Sequence, residues 1–385
     1  MTNNLEQAFN NTCQDTSGIN LPVKIFVSII FVVILVGTAL GNFLVILAVF
    51  IVKKLKTPSN LLIMSLAFSD LLVAILVLPF NILDFLKGSW PFNEGVCDLY
   101  VSFDVLLCTA SIFNLCIISI DRYLVITMPM AYSVHRKNWL MSIYILIAWS
   151  LSGIITLPST FHWKAKYKDC ECTYSDYIYY QIYATCCAFY IPLFIMLVLY
   201  GRIFKLARDM TRADKKQKSF TITNTSEVDD QPTLADEGQE NCVDVSKKQD
   251  RLSISRIKKQ KSSNNESKAI KTLGIIMGGF CLCWMPFFTV QLVKTLFTAW
   301  GGNQKFEISN SVFRFLGWLG YLNSFLNPII YAKFNQEFRL PFRMILMFKC
   351  RNINEQLRKK TYNHDFGIGK KNSNVKRIKR DLLRN

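Results

Sequence analysis

The stretch CDLYVSFDVLLCTASIFNLCIISIDRY (Cys97 to Tyr123) is mostly apolar and long enough to cross a bilayer, yet it contains Asp104. A charge at bilayer depth costs about 3 kcal/mol on insertion scales and marks function by default. Asp104 lies seven residues inside Cys97, which is about 10 Å below the outer end of a helix. Arg122 follows eighteen residues later, and eighteen residues make five turns at 3.6 per turn. Asp104, Cys108, Ser111, Leu115 and Arg122 therefore share one stripe, too polar to face lipid. No Lys or Arg falls at comparable depth in any apolar run; Lys294 and Arg314 sit nearer the outer mouth. The chemistry that fits is capture of a cation from outside, the alternative being a structural ion pair within the bundle.

Aromatic residues complete such a site. In CWMPFF, Trp284, Phe287 and Phe288 fall at i, i+3 and i+4, while Pro286 kinks the helix and frees backbone groups. Trp318 and Tyr321 lie three apart on another run. Rings around a carboxylate bind an organic ammonium by cation–π attraction as well as by charge; each ring alone would read as packing. A deeper polar set, Asn42, Asp70, Ser111, Asn323 and Asn327, offers hard oxygens suited to sodium with water. A hydrogen-bonded network tying helices together is the alternative there.

Elements of bilayer length must position these groups. The 385 residues are 51% hydrophobic and only 19% charged, and the apolar residues are concentrated in runs. Seven runs, at about 22–51, 59–86, 97–127, 139–158, 177–204, 268–298 and 310–333, are each long enough to span. The expected fold is an all-α membrane protein, a seven-transmembrane helix bundle. The expected divisions are an extracellular N-terminus (1–21), spans one to five (22–208), a disordered third cytoplasmic loop (209–267) and spans six and seven (268–333). An amphipathic helix (334–348) and a basic cytoplasmic tail (349–385) follow. The first twenty residues lack the features of a cleavable signal peptide, so the first span is expected to direct insertion.

The net charge of +18 clusters on one side of this topology. Lys53, Lys54 and Lys56, then His135, Arg136 and Lys137, then the third loop and the tail all carry basic residues. The positive-inside rule makes that side cytoplasmic and the N-terminus external, against a weaker signal from Lys164, Lys166 and Lys168. This topological role for the basic residues argues against nucleic acid as a partner.

Of the twelve cysteines, Cys13, Cys97, Cys170 and Cys172 fall outside, where a bridge among them is permitted. Asn10 heads the only external N-x-S/T sequon. RLSIS (Arg251 to Ser255) reads as a solvated linker with chance serines or as a kinase site. After the seventh run, Phe334, Phe338, Phe342 and Ile345 fit a helix on the inner membrane face. Pro341 predicts a kink or early stop there, and Cys350 is a candidate for palmitoylation.

In order along the runs stand GNFLVILAV (from Gly41), LAFSDLL (from Leu66), DRY (Asp121, Arg122, Tyr123), Trp149, Pro192, CWMPFF (from Cys283) and NPIIY (Asn327 to Tyr331). Together they resemble the rhodopsin-like G-protein-coupled receptors over the whole seven-span core. Asp104 with WLGYLNSFLNP (from Trp318) resembles the biogenic-amine branch. Within it FYIP (from Phe189), KTLGIIMGGF (from Lys271) and RNIN (from Arg351) are similar to serotonin receptors, the seventh vertebrate subtype especially. Where catecholamine receptors typically place serines, this chain has Ala184, Thr185 and Ala188, a wall suited to an indole with one hydroxyl. Ala184 departs from many serotonin receptors too, which keeps octopamine, tyramine and dopamine as alternatives.

The resemblance implies roles by residue. Asp104 pairs with the ligand ammonium, inside an enclosure of Trp284, Phe287, Phe288, Trp318 and Tyr321 over a floor of Val105, Cys108 and Thr109. Cys97 bridges to Cys172, leaving Cys170 for Cys13. Asp121 and Glu266 hold Arg122 at rest. On activation Pro192, Ile112 and Phe280 repack, Tyr200 and Tyr331 rearrange near Arg122, and the sixth span swings outward, with Pro286 and Pro328 as helix-bending positions. Asp70, Ser111, Asn323 and Asn327 hold an allosteric sodium ion, and no other cofactor is implied. The implied partners are a small amine, serotonin above others, a heterotrimeric G protein that stimulates adenylyl cyclase, arrestin, receptor kinases and membrane lipid.

A transporter would show repeated halves with broken helices, and no internal repeat is present. An enzyme would need a catalytic constellation, but His135, His162 and His364 all lie outside the runs, without metal-ligand spacing.

Overall fold

The computed structural model describes residues 19–168, 170–226, 274–300 and 309–365. The first span is α1 (Leu21–Ile51), followed by a 3-10 turn at Lys53–Leu55. The second is two helices, α2 (Pro58–Leu76) and α3 (Leu78–Lys87), broken at Val77. Pro79 accounts for the break, because it lacks an N–H and its ring crowds the carbonyl four residues back. Gly88 ends α3 at φ 70°, a left-handed cap that only glycine adopts without penalty. The third span, α4 (Glu94–Thr127), starts where the Asn93 side chain accepts from the Val96 N–H at 3.0 Å.

A short inner helix, α5 (Pro129–His135), leads to the fourth span, α6 (Asn138–Phe161). Outside, β1 (Lys166–Lys168) and β2 (Glu171–Thr173) form an antiparallel hairpin with Tyr167 opposite Cys172. The fifth span is α7 (Ile178–Thr185), a π turn at Cys186–Tyr190 and α8 (Ile191–Ser226). Pro192, having no N–H, leaves the Ala188 carbonyl without its helical donor, which suits a widened turn there. The sixth is α9 (Gly274–Ala299) and the seventh α10 (Asn310–Phe334). Helices α11 (Gln336–Leu346) and α12 (Ile353–Asp365) follow.

Six of these spans are long and apolar enough to cross a membrane by composition alone. The seventh, 25 residues long, is less apolar because it carries Arg314, Asn323, Ser324, Asn327 and Lys333. Among the described residues α4 packs against the second, fourth and fifth spans, and α10 against α1. The large apolar side chains of α1 left exposed, such as Phe26, Ile29, Val33, Phe43 and Phe50, form the surface a bilayer would cover.

Three expectations change. Helix α8 runs to Ser226, well past the expected loop start at 209, because residues 209–226 contain no Pro or Gly to stop a helix already nucleated. Pro341 neither ends nor shortens α11, which continues to Leu346. The tail expected after 349 contains α12, whose Ile353 and Leu357, four apart, are both buried. Its Asn354 accepts from the Lys53 N–H at 2.8 Å and donates to the Ile51 carbonyl at 3.2 Å, so it caps the end of α1. Asn10, Cys13, Glu266, the RLSIS serines and residues 227–267 lie outside the described residues, as does 268–273 at the expected start of span six.

Candidate functional site

Asp104 faces the bundle interior, 3% exposed, and points into an open cavity of about 630 Å³ with its mouth included. From α4 the cavity is lined by Asp104, Val105, Cys108, Thr109 and Ile112. From α7 and the π turn come Tyr180, Gln181, Ala184, Thr185 and Ala188, and from α9 Trp284, Phe287, Phe288 and Gln291. Tyr174 and Ser175, just after the hairpin, complete the lining. The i, i+3, i+4 aromatic set is therefore assembled on one wall, with Trp284 and Phe288 5.7 Å apart and Phe288 stacked on Phe189 at 4.4 Å.

Asp104 is held by neutral donors. Tyr174 Oη donates to Oδ2 at 2.5 Å, Tyr321 Oη to Oδ1 at 2.9 Å, and Cys108 Sγ to Oδ1 at 3.4 Å. No Lys or Arg among the described residues pairs with it. Tyr321 thus meets the carboxylate without lining the cavity. Trp318 turns away, its ring stacked on Phe31 of α1 at 3.5 Å, so the expected enclosure loses one wall to the first span. Tyr174, Ser175, Tyr180, Gln181 and Gln291 were not anticipated. The available signal for Tyr174 was its position two residues after Cys172, because Cys97–Cys172 is a disulfide that pins this segment over α4. Cys170 is also disulfide-bonded, while the Cys13 of the expected second pairing lies outside the described residues.

Deeper in the bundle, Asp70 is fully buried. Ser111 and Ser324 donate to its Oδ1 at 2.8 and 2.9 Å, and Asn327 Nδ2 to its Oδ2 at 2.8 Å. Ser324 stands in the place expected for Asn323, whose side chain makes no hydrogen bond to that carboxylate. Asn42 donates to the carbonyls of Thr38 and Ser324 at 2.9 and 3.1 Å. Among the described residues, the buried Oδ1 atoms of Asn42 and Asn327 have no hydrogen-bond partner, nor does Tyr331 Oη. An amide oxygen such as that of Asn327, whose nitrogen already bonds the carboxylate, suits a small hard cation.

At the inner end, Asp121 gathers more partners than expected. Arg136 grips it with a two-pronged contact, Nε to Oδ1 and Nη2 to Oδ2, both 3.0 Å. Ser59 Oγ donates at 2.5 Å and Tyr132 Oη at 3.1 Å. Arg122 stands further off, its Nε 3.9 Å from Oδ2. Burial first, then the Asp121 charge, raises the Tyr132 hydroxyl well above its ordinary value, so it stays a donor. The anticipated partner Glu266 lies outside the described residues. Ile112, Phe280 and Tyr331 are buried, and Phe280 meets Phe189 at 5.8 Å between ring centres. Tyr200 lies against Gly274, where an added Cβ would overlap its hydroxyl. Cys350 is exposed after α11.

Residues 41–331 match the family described as 7 transmembrane receptor (rhodopsin family). The 5-hydroxytryptamine receptor 7 of Xenopus laevis is 40% identical over 344 residues, 87% of this chain and 79% of its own. The human 5-hydroxytryptamine receptor 1B is 38% identical over 356 residues, covering 86% of this chain and 88% of its own. The 5-hydroxytryptamine receptor 1D of Canis lupus familiaris is 38% identical over 347 residues, 84% and 89% respectively.

Proposed function

The chain belongs to the rhodopsin family of seven-transmembrane receptors, and on that premise we propose that it is a cell-surface receptor for a biogenic amine, serotonin. Members of this family are receptors, not enzymes, and the apolar helices make it a multi-pass membrane protein. The observation that carries the ligand reading is the buried Asp104 facing an aromatic cavity with only neutral donors, among the described residues, on its oxygens. A ligand ammonium adds the charge those hydroxyls lack, and the rings of Trp284, Phe287 and Phe288 add cation–π attraction. Ala184, Thr185 and Ala188, all on the lining, offer one hydroxyl and two methyls to the far end of an indole. The relatives named as 5-hydroxytryptamine receptors support this choice.

Signalling follows from population shift: the amine activates by binding the open form more tightly than the closed one. The open form would expose an inner cleft to a heterotrimeric G protein that stimulates adenylyl cyclase, with arrestin and receptor kinases as later partners. Asp70, Ser111, Ser324 and Asn327 fit sodium, which would supply a positive charge favouring the closed form. The N-terminus, with a glycan at Asn10, would face outside, and Cys350 would carry a lipid chain.

The test is a panel of serotonin, dopamine, octopamine, tyramine and histamine on cells expressing the chain, with cyclic AMP and calcium recorded. Serotonin should give the lowest half-maximal dose, raising cyclic AMP. Asp104→Ala should abolish the response while surface expression persists. Another amine more potent by tenfold overturns the ligand assignment.

A further inference from the structure

Asp104 already carries a phenol on each oxygen, and the two phenols are held differently. Tyr321 belongs to α10. Tyr174 sits on a strap two residues beyond Cys172, which the disulfide fastens to Cys97 near the start of α4. Trp90, Cys97 and Val101 form a small outer cluster against which Cys172 and Tyr174 pack. On the other side, the Ser175 carbonyl accepts from Gln181 Nε2 at 2.5 Å, and Thr295 Oγ1 of α9 donates to Gln181 Oε1 at 2.5 Å. The strap is therefore pinned on both flanks, to the third, fifth and sixth spans. Between the pins the Tyr174 ring stands edge-on to Phe287 and Phe313, with centres 6.1 and 6.5 Å away.

We propose that Tyr174 is a tethered lid, whose phenol holds Asp104 Oδ2 while the cavity is empty and must leave that oxygen before an ammonium reaches it. The proposal rests on the amine-receptor reading and adds a gate to it. Both bonds to the carboxylate are charge-assisted, but only the ammonium brings a net positive charge, and Coulomb attraction in a site shielded from water lets it win the exchange. The bond it displaces is nevertheless subtracted from the gain, and the displacement comes before capture. The hydroxyl therefore slows amine association and lowers affinity. Tyr174 is a positioning residue for the strap and a competitor for the carboxylate, both through one oxygen atom.

Tyr174→Phe keeps the ring and its edge contacts and removes only that oxygen. Two measurements on the full chain in cell membranes test it. The first uses Cys108, a free thiol on the cavity lining, and 2-aminoethyl methanethiosulfonate, itself a small ammonium. The Cys108 thiolate attacks the reagent's sulfenyl sulfur, a mixed disulfide forms, methanesulfinate departs with the electron pair, and the thiol proton goes to water. Modification is read by mass spectrometry of the purified receptor, with Cys108→Ser as the background. The expected result is Cys108 modification at least threefold faster in Tyr174→Phe than in the unsubstituted receptor. The second measurement follows tritiated serotonin, for which association should be at least threefold faster and Kd lower in the variant. Equal or slower Cys108 modification overturns the lid, whichever amine is native. An unchanged association rate on a receptor that binds serotonin overturns it as well. Faster modification with no serotonin binding by either receptor supports the lid and defeats the serotonin assignment instead.

Discussion

Two buried carboxylates, Asp104 and Asp70, meet different neighbours, and the difference separates their work. Asp104 is surrounded by bulky phenols and rings beside open space, which suits an organic cation. Asp70 is surrounded by two serine hydroxyls and an amide, with the unpartnered Asn327 Oδ1 close by in sequence to Ser324, which suits a small inorganic one. If sodium binds there, replacing choline by sodium at about 150 mM should weaken agonist binding several-fold. Asp70→Asn should remove that difference, and equal sodium sensitivity in the variant would place the effect elsewhere. At this scale the third span was legible, because eighteen residues are five whole turns and the stripe from Asp104 to Arg122 follows from arithmetic. The choice between Asn323 and Ser324 was not, since residues three and four positions before Asn327 share its helix face. Tyr174 was hidden for another reason: a loop has no period, and only the disulfide fixes where its side chain goes.

Among elements, the spans were legible as runs of apolar residues, and their interruptions follow from prolines. Pro79 divides the second span, and Pro192 accompanies the π turn that brings Phe189 to stack on Phe288. The ends were less legible. Helix α8 outruns its apolar run because a helix needs no apolar residues once it has been started. Helix α12 escaped notice because two apolar residues, Ile353 and Leu357, are too few to make a run. Its footing on α1 makes a prediction. Asn354→Ala removes both the acceptor for the Lys53 N–H and the donor to the Ile51 carbonyl, at a cost of about 1–2 kcal/mol. The detergent-solubilised receptor should melt a few degrees lower, while Asn354→Asp, which keeps the acceptor, should lose less. Equal Tm values in all three would mean that α12 does not hold the first span.

For the molecule as a whole, the distribution of basic residues predicts the N-terminus outside and the tail inside. An epitope tag at residue 1 should stain intact cells, and a tag at residue 385 only permeabilised ones; the opposite pattern would invert the topology. The inner end is tied across loops, Asp121 joining α2 through Ser59, α5 through Tyr132, and Arg136 just beyond the end of α5. The first span, in turn, is tied to the last. Phe31 stacks on Trp318, Asn42 donates to the Ser324 carbonyl, and a Cβ at Gly41 would strike Pro328. This pairing has a cost in time during synthesis. From Ile51 to Asn310 a ribosome has about 260 residues to add, which at about 5–20 per second takes tens of seconds. Through that interval the Asn42 amide has the Thr38 carbonyl of its own helix but not the Ser324 carbonyl of the seventh span. The nascent first helix therefore waits with one of the two Asn42 contacts unmade until its distant mate emerges.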